Sequence, residues 1–180
     1  MRPKTVAVAA TVFAALAVTV TAQKTTQVHP GKGGSPHVKS EWTIDGANIS
    51  IVYGRPFLKG RSVGKEVAPF GQIWRTGADE ATTFTTDKPL KFGQLAVPAG
   101  TYTIYTVPAE GEWQLVISKQ TGQWGTQYSQ AQDLGRVPMK VEKTSAPVEQ
   151  LTITVDDTPG GGALRVEWGT TRATTPFTVG

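Results

Sequence analysis

The stretch that decides the fold is residues 98–118, PAGTYTIYTVPAEGEWQLVIS. It contains two runs rich in β-branched and aromatic residues, 101–107 and 113–118, and a turn containing Pro and Gly precedes each run. Every second residue from Trp113 onward is apolar, and alternate side chains of a strand share one face. The stretch therefore predicts neighbouring strands with a buried face.

The same pattern recurs through most of the chain. The sequence Asp45-Gly46 predicts a tight hairpin, because that turn requires positive φ angles, and the Gly-rich segment 156–162 predicts another hairpin. Helical periodicity is absent after residue 22, apart from one or two turns expected near 126–135. The sequence therefore predicts an all-β fold: an antiparallel β-sandwich, with a jelly roll as one arrangement, of eight or nine short strands. The other predicted strands are 42–44, 49–53, 81–86, 90–97, 137–142, 151–155 and 164–168.

The first 40 residues predict a signal peptide followed by a flexible leader. Residues 1–22 have a basic start, an uncharged apolar run and a small-residue end, which is the pattern of a signal peptide. We expect an exported protein, periplasmic or extracellular, without a membrane span after signal removal. Residues 23–40 predict a flexible Gly/Pro leader, and its last part, Ser35-Pro36-His37, is a candidate for attachment to the domain. Residues 41–180 are predicted to form a single domain.

Composition removes several classes of function. The chain has no Cys, which excludes thiol nucleophiles and thiolate metal sites, and it has only 2 His. Its 18 Lys and Arg against 14 Asp and Glu fall to 16 against 14 when Arg2 and Lys4 leave with the signal. The remaining cations are scattered, so no nucleic-acid partner is expected. No metal site and no cofactor are predicted, and the oligomeric state is left open.

The densest group of recognition side chains lies at 74–80. Here Arg75 is a planar fork suited to a carboxylate or phosphate ligand, Trp74 is a stacking surface, and Glu80 or Asp79 is a candidate general base. The alternative is an internal Arg75–Glu80 ion pair that holds a loop against the core. Residue types alone leave both interpretations open.

Four other side chains extend this candidate site. Tyr53 directly precedes the long loop 54–71, which contains Arg55 and Arg61. If these two guanidiniums converge with that of Arg75 they predict an anionic ligand, and if they point outward they are ordinary solvated charges. Trp124 lies in a Gly-flanked loop and is either an exposed stacking platform or a plug over the core.

One further residue, His37, is a candidate for a catalytic role. His37 and His29 are the only imidazoles, and His37 directly precedes the apolar domain. A hydrolase would therefore use Glu80 as acid or base, with His37 assisting. The alternative is a structural or surface role for His37.

Several of these motifs together resemble a known family. Ser35-Pro36-His37, Tyr53-Gly54-Arg55-Pro56 and the run 74–82, WRTGADEAT, occur in order with 99–102, 112–113 and 123–125. The chain is similar to the bacterial domain of unknown function family 2911 (DUF2911) over about residues 35–170. The resemblance implies an exported bacterial envelope protein without an established activity. The family pattern has Asn where this chain has Asp79, which moves the candidate acid to Glu80.

Three hypotheses follow. The first is a binding module for a small polar or anionic ligand, a saccharide or a cell-envelope fragment, held by the residues just described. The second is the hydrolase with Glu80 and His37. The third is a non-catalytic structural or interaction module of the envelope, in which Arg75 and Glu80 are buried and mutually bonded. The proposed ligand-binding residues are Tyr53, Arg55, Arg61, Trp74, Arg75, Glu80 and Trp124.

Overall fold

A computed structural model describes residues 23–180 and shows an all-β, sandwich-like protein, as the sequence predicts. Ten strands form one antiparallel sheet in the order β1-β2-β3-β6-β9-β10-β11-β12-β7-β8, and β4 and β5 form a separate parallel pair. The strands are β1 (Lys24–His29), β2 (His37–Ile44), β3 (Ala47–Gly54), β4 (Val63–Gly64), β5 (Val67–Pro69), β6 (Thr83–Thr86), β7 (Leu90–Phe92), β8 (Leu95–Val97), β9 (Gly100–Val107), β10 (Glu112–Ser118), β11 (Asp133–Thr158) and β12 (Gly161–Val179).

Local turn chemistry explains the predicted hairpins. Asp45 and Gly46 have φ angles of 46° and 76° and join β2 to β3. The turn between β11 and β12 has Gly160 at φ 79°. The expected helical turn near 126–135 is a 3₁₀ turn at Gln130–Gln132.

The structure has more strands than the sequence predicted, and two of them are much longer. The 90–97 segment splits into the β7–β8 hairpin, and the long loop contains the short strands β4 and β5. Conversely, the expected strands 137–142 and 151–155 belong to one strand, β11, which is continuous through the polar segment between them. That segment lacks apolar alternation because it is mostly exposed, so the pattern of side chains could not show that the strand continues.

The 23–40 segment also differs from the expected flexible leader. Its residues 24–29 form β1, which pairs antiparallel with β2, and His37 is the first residue of β2. The strand β1 is exposed along most of its length, so backbone hydrogen bonds hold it with little apolar burial. The predicted signal peptide, 1–22, lies outside the described residues. Within residues 23–180 no helix is long and apolar enough to cross a membrane.

The long β11–β12 hairpin bends over the rest of the sheet. Its register shifts between Lys143 and Val148 and again before Thr152, and Gly169 opposite Val148 has a φ of 61°. These irregularities bend the two strands, as β-bulges do. The second half of β11 thereby reaches the loop after β3, where Phe57 bridges to Gln150.

The core lies between the two layers made by this bend. The face of β10 predicted to be buried is buried at Trp113, Leu115 and Ile117. The opposite face is also buried at Val116, since the 119–132 loop crosses the outer side of β9 and β10. Other fully or almost fully buried side chains are Ile44, Ile49, Ile51, Phe84, Phe92, Ile104, Met139, Leu151, Ile153 and Val166.

The fold predicts one destabilising glycine substitution. A Cβ atom at Gly161 would lie 2.0 Å from the carbonyl oxygen of Phe177, because the two ends of β12 are in contact. We expect Gly161→Ala to lower the free energy of unfolding by about 1–3 kcal/mol, the cost of overpacking. Gly111→Ala is the matched control, because a Cβ atom there meets nothing within 4 Å. Equal denaturant midpoints for both variants would contradict the close contact.

Candidate functional site

A cleft of about 560 Å³ lies where four loop segments meet beside β9 and β12. The segments are parts of 32–35, 56–69, 73–79 and 125–128. Its aromatic lining is Trp74, Tyr105, Tyr128 and Trp168, and its charged lining is Lys32, Arg61, Glu66, Arg75 and Asp79. The cleft thus combines polar recognition groups with aromatic surfaces, as ligand sites do.

The 74–80 segment is held in place by its neighbours on both sides. The backbone of Trp74 exchanges two hydrogen bonds with Thr106 on β9, at 2.8 and 2.9 Å. The backbone N–H of Gly125 donates to the carbonyl of Asp79 at 2.9 Å, and Glu80 forms an isolated antiparallel bridge with Trp124. The segment therefore connects the sheet to the 119–132 loop.

Gly125 allows this connection because no side chain fits there. A Cβ atom at this position would lie 2.5 Å from Cδ of Arg75 and 2.8 Å from the carbonyl oxygen of Asp79. Both distances are below normal van der Waals contact. The glycine lets the loop backbone pass directly over the stem of Arg75.

Two other indole rings support the side chain of Trp74. Its ring stacks on that of Trp168, with centroids 5.6 Å apart and an interplanar angle of 10°, and meets Trp113 edge-on at 6.1 Å. Trp74 is half-buried, so part of its surface still faces the cleft. The predicted stacking surface is therefore attached rigidly to the core.

Arg75 and Glu80 do not form the ion pair considered above. The Arg75 guanidinium has one hydrogen bond, from Nη1 to the carbonyl of Asp79 at 3.4 Å, and no carboxylate of residues 23–180 lies within salt-bridge distance of it. Thr76 and Asp79 have positive φ angles of 52° and 60°. Arg75 lines the cleft, whereas Glu80 is exposed and is not part of the lining.

The three guanidiniums expected to converge do so only in part. Arg61 lines the cleft with Arg75, although its Nε and Nη2 also donate to the carbonyls of Leu58 and Phe57. Arg55 does not line the cleft. Its Nε and Nη2 donate to the carbonyl of Leu151 and the hydroxyl of Thr152, both on β11. Arg55 therefore joins the two layers of the sandwich.

Tyr53 is also part of the scaffold. It is 2% exposed, and its hydroxyl accepts the backbone N–H of Ile153 at 2.9 Å. Desolvation by burial raises the pKa of Tyr53 above its ordinary value, so its hydroxyl stays protonated at neutral pH. Tyr53 is thus far from the role of a ligand-binding side chain and connects β3 to β11.

A second group of polar side chains, which we call the histidine cluster, adjoins the cleft and consists of His29, His37, Asp79 and Glu80. His37 is 2% exposed, and its Nε2 lies 3.3 Å from Oδ2 of Asp79 and 3.3 Å from Oε2 of Glu80. The His29 ring stacks on that of His37 with centroids 4.1 Å apart. The two catalytic candidates, His37 and Glu80, are therefore in contact.

The segment between the two histidines forms the rim of the cleft. The backbone N–H of Lys32 donates to Oδ2 of Asp79 at 2.9 Å, and the Lys32 ammonium lies 5.2 Å from the centroid of the Trp124 ring. Trp124 is half-buried and does not line the cleft, so its role is to hold this rim. Lys32 was not among the predicted site residues, because the Gly-rich segment around it is typical of a flexible leader.

The charge of the cleft lining is positive overall. Lys32, Arg61 and Arg75 supply three cations, and Glu66 and Asp79 supply two carboxylates, which leaves a net of +1. The backbone N–H of Ser62 donates to Glu66 at 2.9 Å and lowers the pKa of Glu66, so this group is charged at neutral pH. An anionic group of a ligand would complete the charge balance.

The fold and the cleft together define an all-β protein with a polar, aromatic-walled site formed by loops. Comparison with protein families shows which one it is: the chain belongs to the family described as "Protein of unknown function (DUF2911)", which matches residues 35–177. The predicted resemblance is thereby confirmed. Neither the curated proteins nor the solved structures searched gave a match.

The absence of an Arg75–Glu80 ion pair has a consequence for stability. We expect Arg75→Gln and Glu80→Gln each to change the free energy of unfolding by less than about 1 kcal/mol, because neither side chain belongs to a buried ion pair and Gln keeps most of the length of each stem. Breaking a buried pair would instead cost about 3–5 kcal/mol. Denaturant titration of both variants measures the difference.

Tyr53→Phe serves as the reference for these variants. It removes the acceptor of the Ile153 N–H, and leaving a buried donor without a partner costs about 1–3 kcal/mol. A loss at Arg75 and Glu80 larger than the loss at Tyr53 would assign both residues to the scaffold.

Proposed function

We propose that the cleft binds a small anionic or polar ligand, of the chemical class of an acidic saccharide or a cell-envelope fragment. The observation that carries the proposal is the environment of Arg75, whose guanidinium lines the cleft without a carboxylate partner among residues 23–180. A planar guanidinium offers five donors in a fixed fork, which suits a carboxylate or a phosphate. Most of those donors are available to a ligand here.

The surroundings of Arg75 support the same ligand class. Arg61 and Lys32 line the same cleft, so an anion held by Arg75 lies in a net positive field. Trp74 and Trp168 both line the cleft as a stacked indole pair, and apolar faces of sugar rings pack against aromatic surfaces. A sugar acid offers both a carboxylate and an apolar ring face.

Residues 1–22 add an argument from location. If they direct export, as their pattern predicts, the cleft would meet envelope or extracellular material, in which acidic sugars and sugar phosphates are suitable ligands. Export of the protein is therefore part of the proposal.

The test is a titration of the purified protein with glucuronate, with glucose as the neutral comparison at constant ionic strength. Trp74 and Trp168 line the cleft, so tryptophan fluorescence reports occupancy. We expect saturable binding of glucuronate, and Arg75→Gln should weaken it by about 10–100-fold, as losing a charged hydrogen bond costs about 1.5–3 kcal/mol.

Lys140→Gln is the matched control, since it removes one positive charge from a side chain that is 75% exposed and bonded only to Glu142. It should leave glucuronate affinity unchanged. Equal affinities for glucose and glucuronate, or equal losses in the Arg75 and Lys140 variants, would contradict the proposal.

A hydrolase is the second candidate, because Nε2 of His37 lies 3.3 Å from Oε2 of Glu80. Such a pair suits proton transfer, in which the exposed carboxylate accepts a proton and the buried imidazole positions it. We expect Glu80→Gln to abolish hydrolysis of p-nitrophenyl acetate or p-nitrophenyl glucuronide, while Arg75→Gln weakens only the second. If the wild type hydrolyses neither compound faster than Glu80→Gln does, the hydrolase proposal is wrong and the binding proposal remains.

The third hypothesis, a purely structural module, requires a buried, mutually bonded Arg75 and Glu80. The exposure of Glu80 and the position of Arg75 in the cleft favour binding instead.

A further inference from the structure

We propose that the histidine cluster is a binding site for a divalent transition-metal ion, with zinc as the best match, and that its ligands are His29, His37 and Glu80. Each of these residues offers one ligand atom, and the three atoms all lie within 4.8 Å of one another. This inference does not depend on ligand binding in the cleft.

The spacing of the three atoms suits a tetrahedral ion. With ligand bonds of about 2.0–2.1 Å, adjacent ligand atoms of a tetrahedral zinc site are separated by about 3.3 Å. The distance between Nε2 of His37 and Oε2 of Glu80 is 3.3 Å, and that between Nε2 of His29 and the same oxygen is 3.9 Å. The His29 ring is the part that has to move, both inward and by rotation, to bring an unprotonated nitrogen to the ion.

The donor types favour zinc over calcium or magnesium. Two imidazoles and one carboxylate form a mixed nitrogen and oxygen set, whereas calcium and magnesium take oxygen ligands. Three protein ligands leave a fourth coordination position for water, as in zinc sites where that position can exchange water for another ligand. Glu80 and His29 have side-chain exposures of 54% and 40%, so an ion can enter from solvent.

His37 gives the site a fixed base. Its side chain is 3% exposed, and both Asp79 and Glu80 point an oxygen at its Nε2. Two carboxylates around one imidazole nitrogen concentrate negative charge there, which favours a cation. The carboxylate of Asp79 is in turn held by the backbone N–H of Lys32, so it stays beside the ligand nitrogen of His37 as a second negative charge.

His29 must turn its ring to complete the site. Its ring is nearly parallel to that of His37, at 20°, and an ion cannot lie in the planes of two stacked rings. Its Nδ1 also accepts the backbone N–H of Gly31, which places the neutral-ring proton on Nε2. His29 is the last residue of β1, at a register shift, so a ring rotation breaks one local hydrogen bond without disturbing the sheet.

The test uses the purified protein without a polyhistidine tag, treated with EDTA and then titrated with ZnCl₂ by calorimetry. We expect one zinc ion per chain and a higher unfolding midpoint, since an ion that binds the native state stabilises it. Titration with Co²⁺ provides a second measurement, because visible absorption bands of a tetrahedral Co²⁺ site report the coordination directly.

Two exposed ligands carry the variant test, since substitution of the buried His37 also threatens folding. We expect Glu80→Gln and His29→Gln each to weaken zinc binding by at least about tenfold, the scale on which metal-site substitutions act. Glu142→Gln is the control: this exposed carboxylate is bonded to Lys140, away from the cluster, and the variant should bind zinc as the wild type does.

The outcomes separate this site from the cleft. Arg75→Gln should bind zinc normally, so a failure of glucuronate binding leaves the metal proposal standing, and the reverse also holds. No saturable zinc binding, or equal binding by the wild type, Glu80→Gln and His29→Gln, would overturn the metal site and mark any bound zinc as adventitious.

Discussion

The hydroxyl group of Tyr53 bonds both backbone groups of Ile153, a residue 100 positions later in the chain. This contact ties β3 to the bent second half of β11 and so holds the two layers together. The contact can form only when the β11–β12 hairpin curves over the sheet. A flat hairpin would also leave the apolar face of the central strands exposed to water. The cleft follows from the same curvature, since β12 brings Trp168 under Trp74.

The functional groups are carried on loops, whereas their supports belong to strands. Trp74 is bonded to β9 and stacked on the core, and the next residue, Arg75, lines the cleft beside it. This division places most of the buried area in the scaffold and leaves the Arg75 guanidinium lining the cleft. The histidine cluster has a similar arrangement, because His37 begins β2 and places its buried imidazole under the exposed carboxylate of Glu80.

Local chemistry predicted much of the fold, and long-range contact determined what it missed. Asp45-Gly46 and the 156–162 turn are hairpins because their φ requirements are local. Strand β1 was not predicted, since it is held by pairing with β2 and buries almost nothing. At the site, Trp74 and Arg75 are sequence neighbours and both line the cleft, so no long-range contact was needed to place them together. That Tyr53 and Arg55 belong to the scaffold depends on their contacts with β11, and no spacing in the sequence shows that strand approaching them.

The wide sequence separation of these contacts also governs how the protein reaches its native state. Pairings such as those of Tyr53 with Ile153 and of His37 with Asp79 close long stretches of chain, and topologies dominated by distant contacts fold slowly. The β11–β12 hairpin is local and can form early, but Ile153 on β11 cannot reach Tyr53 until the hairpin curves. Until the hairpin closes, the apolar faces of the central strands are open to other chains, and exposed apolar surface of this kind favours aggregation during folding.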